Sequence, residues 1–88
     1  MLHLVHQKRF DKDMKILLKG NKDPLKIKAI ITLLAQEKVL PPKNRNHKLG
    51  GDFEGCWECH IEPDWLLIYR KTVDTLILIR TGSHSNLF

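Results

Sequence analysis

Cysteine is scarce in this sequence: Cys56 and Cys59 are the only two in 88 residues. A four-cysteine zinc site is therefore impossible within one chain. Long apolar runs are missing too, and nothing approaches the roughly 20 residues that a membrane-spanning helix needs. The opening MLHLVHQKRFDKD lacks the charged-then-apolar layout of a secretory signal. A cytoplasmic setting with reduced thiols is the expectation, and no membrane partner is expected. Acidic residues are outnumbered, 10 against 15 Lys and Arg, which leaves a formal charge of +5. Such a basic surface favours a polyanionic partner, nucleic acid above all. What is present is ordinary for a globular domain, 42% hydrophobic and 28% charged. Eighty-eight residues make one domain, 1–88, with a small but sufficient core.

Both cysteines fall in CWECH, residues 56–60. The spacing matches a c-type haem attachment pattern, and its first four residues match a redox or half-zinc-site pattern. The surrounding FEGCWECHI alternates, however, with Phe53, Trp57, Cys59 and Ile61 on one face and Glu54, Cys56, Glu58 and His60 on the other. On a strand, residues three apart point to opposite sides, so the two thiols diverge. Neither a chelate nor a disulfide forms readily from that geometry. No metal and no cofactor is expected.

The rest of the chain reads as β-α-α-β-β-β. LHLVHQ is a short strand. Phe10, Met14, Leu17 and Leu18 fall at i, i+4, i+7 and i+8, one face of a helix that Gly20 is placed to end in a left-handed cap. Asp23 then Pro24 is a helix start signal. Ile27, Ile30, Ile31 and Leu34 carry the stripe of this second helix to about Lys38. KNRNHKLGG, between diproline and diglycine, reads as an irregular basic loop. WLLIYRK and TLILIRT, separated by a turn near Asp74, are apolar on both faces, as central strands are. The implied fold is α+β, two N-terminal helices packed on a curved antiparallel sheet.

Three histidines stand where sites form, beside loops and strand ends. His47 is in the basic loop, His60 ends a strand, and His84 follows the last strand. Asp64 sits across the EPD turn from His60, and Arg80 ends the last strand. Histidine titrates near neutrality and serves as acid or base. A carboxylate can act as base or hold an imidazole in its working tautomer. Arginine offers a planar fork of donors to a developing phosphorane charge.

HKLGGDFEGCWECHIEPDWLLIYRK and LILIRTGSHSNLF resemble the signatures of YafQ-type toxins of the RelE/ParE superfamily, and the helical half of the chain fits as well. The resemblance implies a RelE-like fold and a toxin of a type II toxin–antitoxin system. It implies a ribosome-dependent mRNA interferase that cleaves in the A site by metal-independent acid–base chemistry, held inactive by a cognate antitoxin in a hetero-oligomer. It carries His84, His60, Asp64, His47 and Arg80 over as catalytic residues, and Phe88 and Trp65 as substrate-binding ones. His84 is the expected general acid, with the base open among Asp64, His60 and His47. Phe88 is placed to stack on a codon base, whereas Trp65 has core packing as its competing role. The sequence departs from the family where many relatives carry a basic residue at Gly50 and an aromatic–Arg pair at Cys56 and Trp57. The alternative from another class is a ParE-like toxin that binds gyrase without catalysis, and a third is an RNA-binding module without activity. The histidine set argues for the enzyme.

Overall fold

Asp23 and Pro24 start the second helix by the chemistry that makes them a start signal. The Asp23 carboxylate accepts the Leu25 N–H at 2.9 Å, and Pro24 occupies the first turn, where no N–H is needed. In the computed structural model, which describes residues 1–88, this helix (α2) spans Pro24–Ala35 and the preceding one (α1) spans Lys8–Lys19. Both end in the same way. Lys22 N–H bonds the Leu17 carbonyl and Asn21 N–H that of Leu18, while Lys38 and Glu37 repeat the pattern on Leu33 and Leu34. The left-handed residues are Asn21 (φ 65°) and Glu37 (φ 58°). The expected left-handed cap at Gly20 is thus displaced by one residue, Gly20 itself having φ −84°. Glu37 likewise stops α2 short of Lys38. Phe10 is buried on α1, but Leu18 from the expected stripe is half exposed.

Five strands form one sheet: β1 (His3–His6), β2 (His47–Lys48), β3 (Trp57–Glu62), β4 (Trp65–Lys71) and β5 (Thr75–Gly82), in the order β1-β5-β4-β3-β2. A short helix α3 (His84–Leu87) follows. The antiparallel expectation holds for β2 to β5, whereas β1 pairs in parallel with β5. Between β1 and the other strands the chain runs through both helices, which cover one face, and it re-enters the sheet away from β1. The expected strand start at Phe53 is also corrected. Residues Gly51–Phe53 form a 3-10 turn, Gly55 takes φ 88°, and β3 begins at Trp57.

The central strands β3, β4 and β5 are buried on both faces. On one side Cys59, Trp65, Leu67, Tyr69, Leu76 and Leu78 meet Phe10, Ile27, Ile30 and Leu34 of the helices. On the other, Cys56, Leu66, Ile68 and Leu87 form a smaller cluster with Leu49, Phe53 and Ile79 around it. Cys56 and Cys59 therefore pack in different clusters, both as free thiols. Burial, then the Glu58 charge, pushes the Cys59 thiol up to about 12. The thiolate that would react or ligate a metal is disfavoured there. Trp65 is fully buried, and its indole N–H donates to Thr81 Oγ1 at 2.9 Å. It has no surface to offer a substrate, so its assignment as a substrate-binding residue is corrected to core.

Candidate active site

Strand alternation turns Glu58 and His60 of β3 to the sheet face away from the helices, the face that carries the smaller cluster. The short strand β2 sets His47 opposite Glu58. Two imidazoles then converge on one buried carboxylate. His47 Nε2 lies 3.4 Å from Glu58 Oε1, and His60 Nε2 lies 3.6 Å from the same oxygen. Each ring is held from its other nitrogen by a backbone carbonyl: His47 Nδ1 by Arg45 at 2.7 Å, His60 Nδ1 by Pro63 at 3.2 Å. A carbonyl only accepts, so Nδ1 of each ring donates to it, and Nε2 is the nitrogen turned toward Glu58.

The strand under His60 is held from outside as well. Asn44, buried in the 3-10 turn Pro42–Asn44, donates to the His60 carbonyl at 2.7 Å. A cleft of about 370 Å³ opens beside His60, walled by Lys43, Asn44, Arg45 and the β3–β4 turn. A larger cleft, about 460 Å³, lies elsewhere, between the end of α2, Trp57 and Tyr69.

Asp64 and His84 meet through the backbone. Asp64 Oδ1 accepts the His84 N–H at 3.0 Å, tying the β3–β4 turn to the start of α3. Gly82, at φ 155°, lets the chain leave β5 into that helix, and Ser83 caps it by accepting the Asn86 N–H. The ring centroids of His60 and His84 are then 6.4 Å apart, and those of His84 and Phe88 5.5 Å. Phe88 in turn meets Phe53 edge-on at 5.5 Å.

His60, His84, Asp64 and Phe88 are thus brought together, and His47 joins them through Glu58. Arg80 is engaged differently. Its Nε and Nη2 donate to Asp13 of α1 at 2.7 and 3.2 Å, and the Thr81 N–H joins the same carboxylate at 3.1 Å. The hydrogen bond to Asp13 holds the guanidinium above its ordinary range. Glu58, Asp13 and Phe53 are the neighbours that the site reading missed. The alternation already put Glu58 on the His60 face, which was the available signal. At the two departures from the family, Gly50 opens onto free space and Cys56 is buried. The Lys48 ammonium stands 5.6 Å over the Trp57 ring, so a cation is present there too.

Comparison with known proteins places the chain in a family. Residues 2–88 match the family model described as the bacterial toxin of type II toxin–antitoxin systems, YafQ. The mRNA interferase toxin YafQ of Escherichia coli K12 is 41% identical over 81 residues, 91% of this chain and 88% of the relative. A copper-bound mutant toxin from Helicobacter pylori superposes with TM-score 0.95 at 41% identity, with both chains covered completely. The Escherichia coli DinJ–YafQ complex gives TM-score 0.93 at 37% identity, covering 100% of this chain and 99% of the other. The chain therefore belongs to the YafQ family of type II toxin–antitoxin toxins, and the fold is that of its solved members.

Proposed function

We propose that this chain, an endoribonuclease as its curated relatives named mRNA interferase toxins are, cuts mRNA in the ribosomal A site by acid–base chemistry on two imidazoles. The observation that carries the reading is the pairing of His60 with His84, 6.4 Å between ring centroids, with His60 Nδ1 held by the Pro63 carbonyl and Nε2 turned toward Glu58. His60 Nε2 removes the proton of a ribose 2′-hydroxyl, and that oxygen attacks the adjoining phosphorus. His84 gives a proton to the 5′-oxygen as the P–O5′ bond breaks. The products are a 2′,3′-cyclic phosphate and a 5′-hydroxyl. Glu58 and His47 act through His60, and Asp64 acts through His84. Charge on the phosphorane falls to the free part of the Arg80 fork and to Lys43 and Arg45, which line the cleft beside His60 and pair with no carboxylate of the chain. The chemical step needs no divalent ion in this scheme.

The partner is a cognate antitoxin, as the DinJ–YafQ complex has for its own toxin. An acidic segment that orders on the basic face of this chain would wrap a large area and cover the site until release. Nothing in the geometry favours the gyrase-binding alternative. Mapping cut sites on translating ribosomes tests the proposal directly. A cut within the A-site codon leaving cyclic or 3′-phosphate and 5′-hydroxyl ends is expected. Ends bearing a 5′-phosphate would overturn the chemistry, and cleavage of free RNA at the same rate would overturn the ribosome dependence.

A further inference from the structure

Phe88 is 59% exposed, an unusual state for a phenylalanine, and it is not isolated. Its ring leans on Phe53 with centroids 5.5 Å apart and planes at 72°. His84 also stands 5.5 Å from Phe88, and His60 stands 6.4 Å from His84. Phe53, Phe88, His84 and His60 therefore form one row of rings that runs from the loop before β3 into the candidate active site.

The loop that carries Phe53 is built to hold still. Leu49 N–H bonds the Cys56 carbonyl at 2.9 Å, Cys56 N–H bonds that of Phe53 at 3.0 Å, and Glu54 N–H bonds that of Gly51 at 3.1 Å. Two glycines at positive φ, Gly51 at 60° and Gly55 at 88°, make these turns possible. The inner side of Phe53 packs on the cluster of Cys56, Leu66, Ile68 and Leu87, and the ring is only partly covered. Two rigid rings near perpendicular make a corner. A flat heterocycle fits it by stacking on one face while its rim meets the other ring, and aromatic pairs favour these two contacts.

The geometry points to Phe53 as a second base-binding residue: with Phe88 it forms a corner that takes one nucleobase of the RNA and seats it beside His84. This rests on the proposed cleavage of RNA at His60 and His84 and adds the residue that fixes where the base lies. Phe88 alone is a ring on the residue that follows a four-residue helix. Phe53 supplies the preorganised wall against which base and ring are held, and preorganisation reduces the ordering cost of binding.

The test uses the full chain and ribosomes programmed with an mRNA carrying 2-aminopurine in turn at each A-site codon position, in the wild type and in Phe53→Leu. Leucine keeps an apolar contact to the cluster and removes the aromatic face. With the wild type, 2-aminopurine fluorescence falls at one codon position, and Phe53→Leu restores it. The half-saturating toxin concentration in single-turnover cleavage rises by about 5–150-fold, the effect of one lost base stack. The saturating rate stays within a few-fold, and Phe53→Trp returns the affinity. A folded Phe53→Leu that binds within two-fold of wild type overturns the inference, as does a loss confined to the saturating rate. If Phe53→Leu does not fold, Phe53→Trp and the wild-type quench decide alone: no quench at any codon position overturns the corner. A wild type that cuts the mRNA without quenching defeats only this inference, whereas a wild type that cuts no mRNA defeats the proposed function itself.

Discussion

Asp64 accepts the backbone N–H of His84 at 3.0 Å, so a carboxylate in the β3–β4 turn positions the residue that starts α3. The same carboxylate was eligible as the general base from sequence. The two roles differ in what an amide can replace. Asparagine keeps an acceptor oxygen for the His84 N–H but cannot take a proton.

Asp64→Asn is therefore expected to cleave within about 5-fold of wild type, since trading a charged for a neutral acceptor costs on the order of 1 kcal/mol. Asp64→Ala, which removes the acceptor, should fall further, by about 10-fold or more. Single-turnover cleavage on saturated ribosomes reads both. An Asp64→Asn loss of 100-fold or greater would return Asp64 to the role of base.

Glu58 carries a second expectation. Its Oε1 faces both His47 and His60 at ion-pair range, with the carboxylate almost fully buried. Glu58→Gln keeps the volume and removes the charge that both rings face. The cleavage rate should fall by about 10–1,000-fold, in the range seen when the group orienting a catalytic imidazole is neutralised or removed. Imidazole ¹⁵N resonances should shift for His47 and His60 and stay in place for His84. Unchanged His60 resonances together with a wild-type rate would remove Glu58 from the site.

That carboxylate shows where reading the chain stopped. Strand alternation placed it on the His60 face, and the two helices, the α2 start and the divergence of Cys56 and Cys59 follow from local periodicity and capping. Its importance depends on His47, and the loop holding His47 read as irregular because a two-residue strand has no period to detect. The engagement of Arg80 was hidden for a related reason. Its partner Asp13 is 67 residues away, and nothing local announces the pairing. The parallel neighbour of β1 was equally hidden, because the route of the chain through both helices decides it. Trp65 came in as a substrate contact only through the family resemblance, with core packing as its competing role, and the pleat turns it into the core.

Acid should loosen the contact of α2 and the turn before it with β3. Glu62 at the end of β3 accepts from Lys22 at 2.6 Å and from Lys26 at 2.7 Å. The hydrogen bond from Lys22, then that from Lys26, holds the Glu62 carboxyl below its ordinary 4.5, and Glu62 raises Lys26 above its ordinary 10.5. A lowered carboxyl contributes stability that is full above about 4.5 and fades as pH falls through the folded-state value. The Lys26 share persists below 10.5 and is lost as pH rises past its raised value. Glu62→Gln should thus lower Tm near neutrality, modestly because the lysines are solvated and salt screens them. The two proteins should converge as pH drops below the folded-state value of Glu62. Thermal melts across pH at low salt read this, and a Tm gap undiminished in acid would assign it to packing.

His84 bears the sharpest expectation, because its two contributions separate. The N–H that Asp64 holds belongs to the backbone, so His84→Ala keeps the tie and loses only the imidazole between His60 and Phe88. If that ring protonates the leaving 5′-oxygen, its loss should slow single-turnover cleavage by at least about 100-fold, the lower end for a general acid. Ribosome binding should change little. Phe88→Ala should do the reverse, weakening binding by about 1–3 kcal/mol, as one stacking contact does, with a smaller effect on the saturated rate. Single-turnover conditions are needed because slow product release would hide the chemical step. A folded His84→Ala variant that cleaves within a few-fold of wild type would take His84 out of the mechanism and leave the imidazoles of His60 and His47 to take the 2′-hydroxyl proton and give one to the 5′-oxygen.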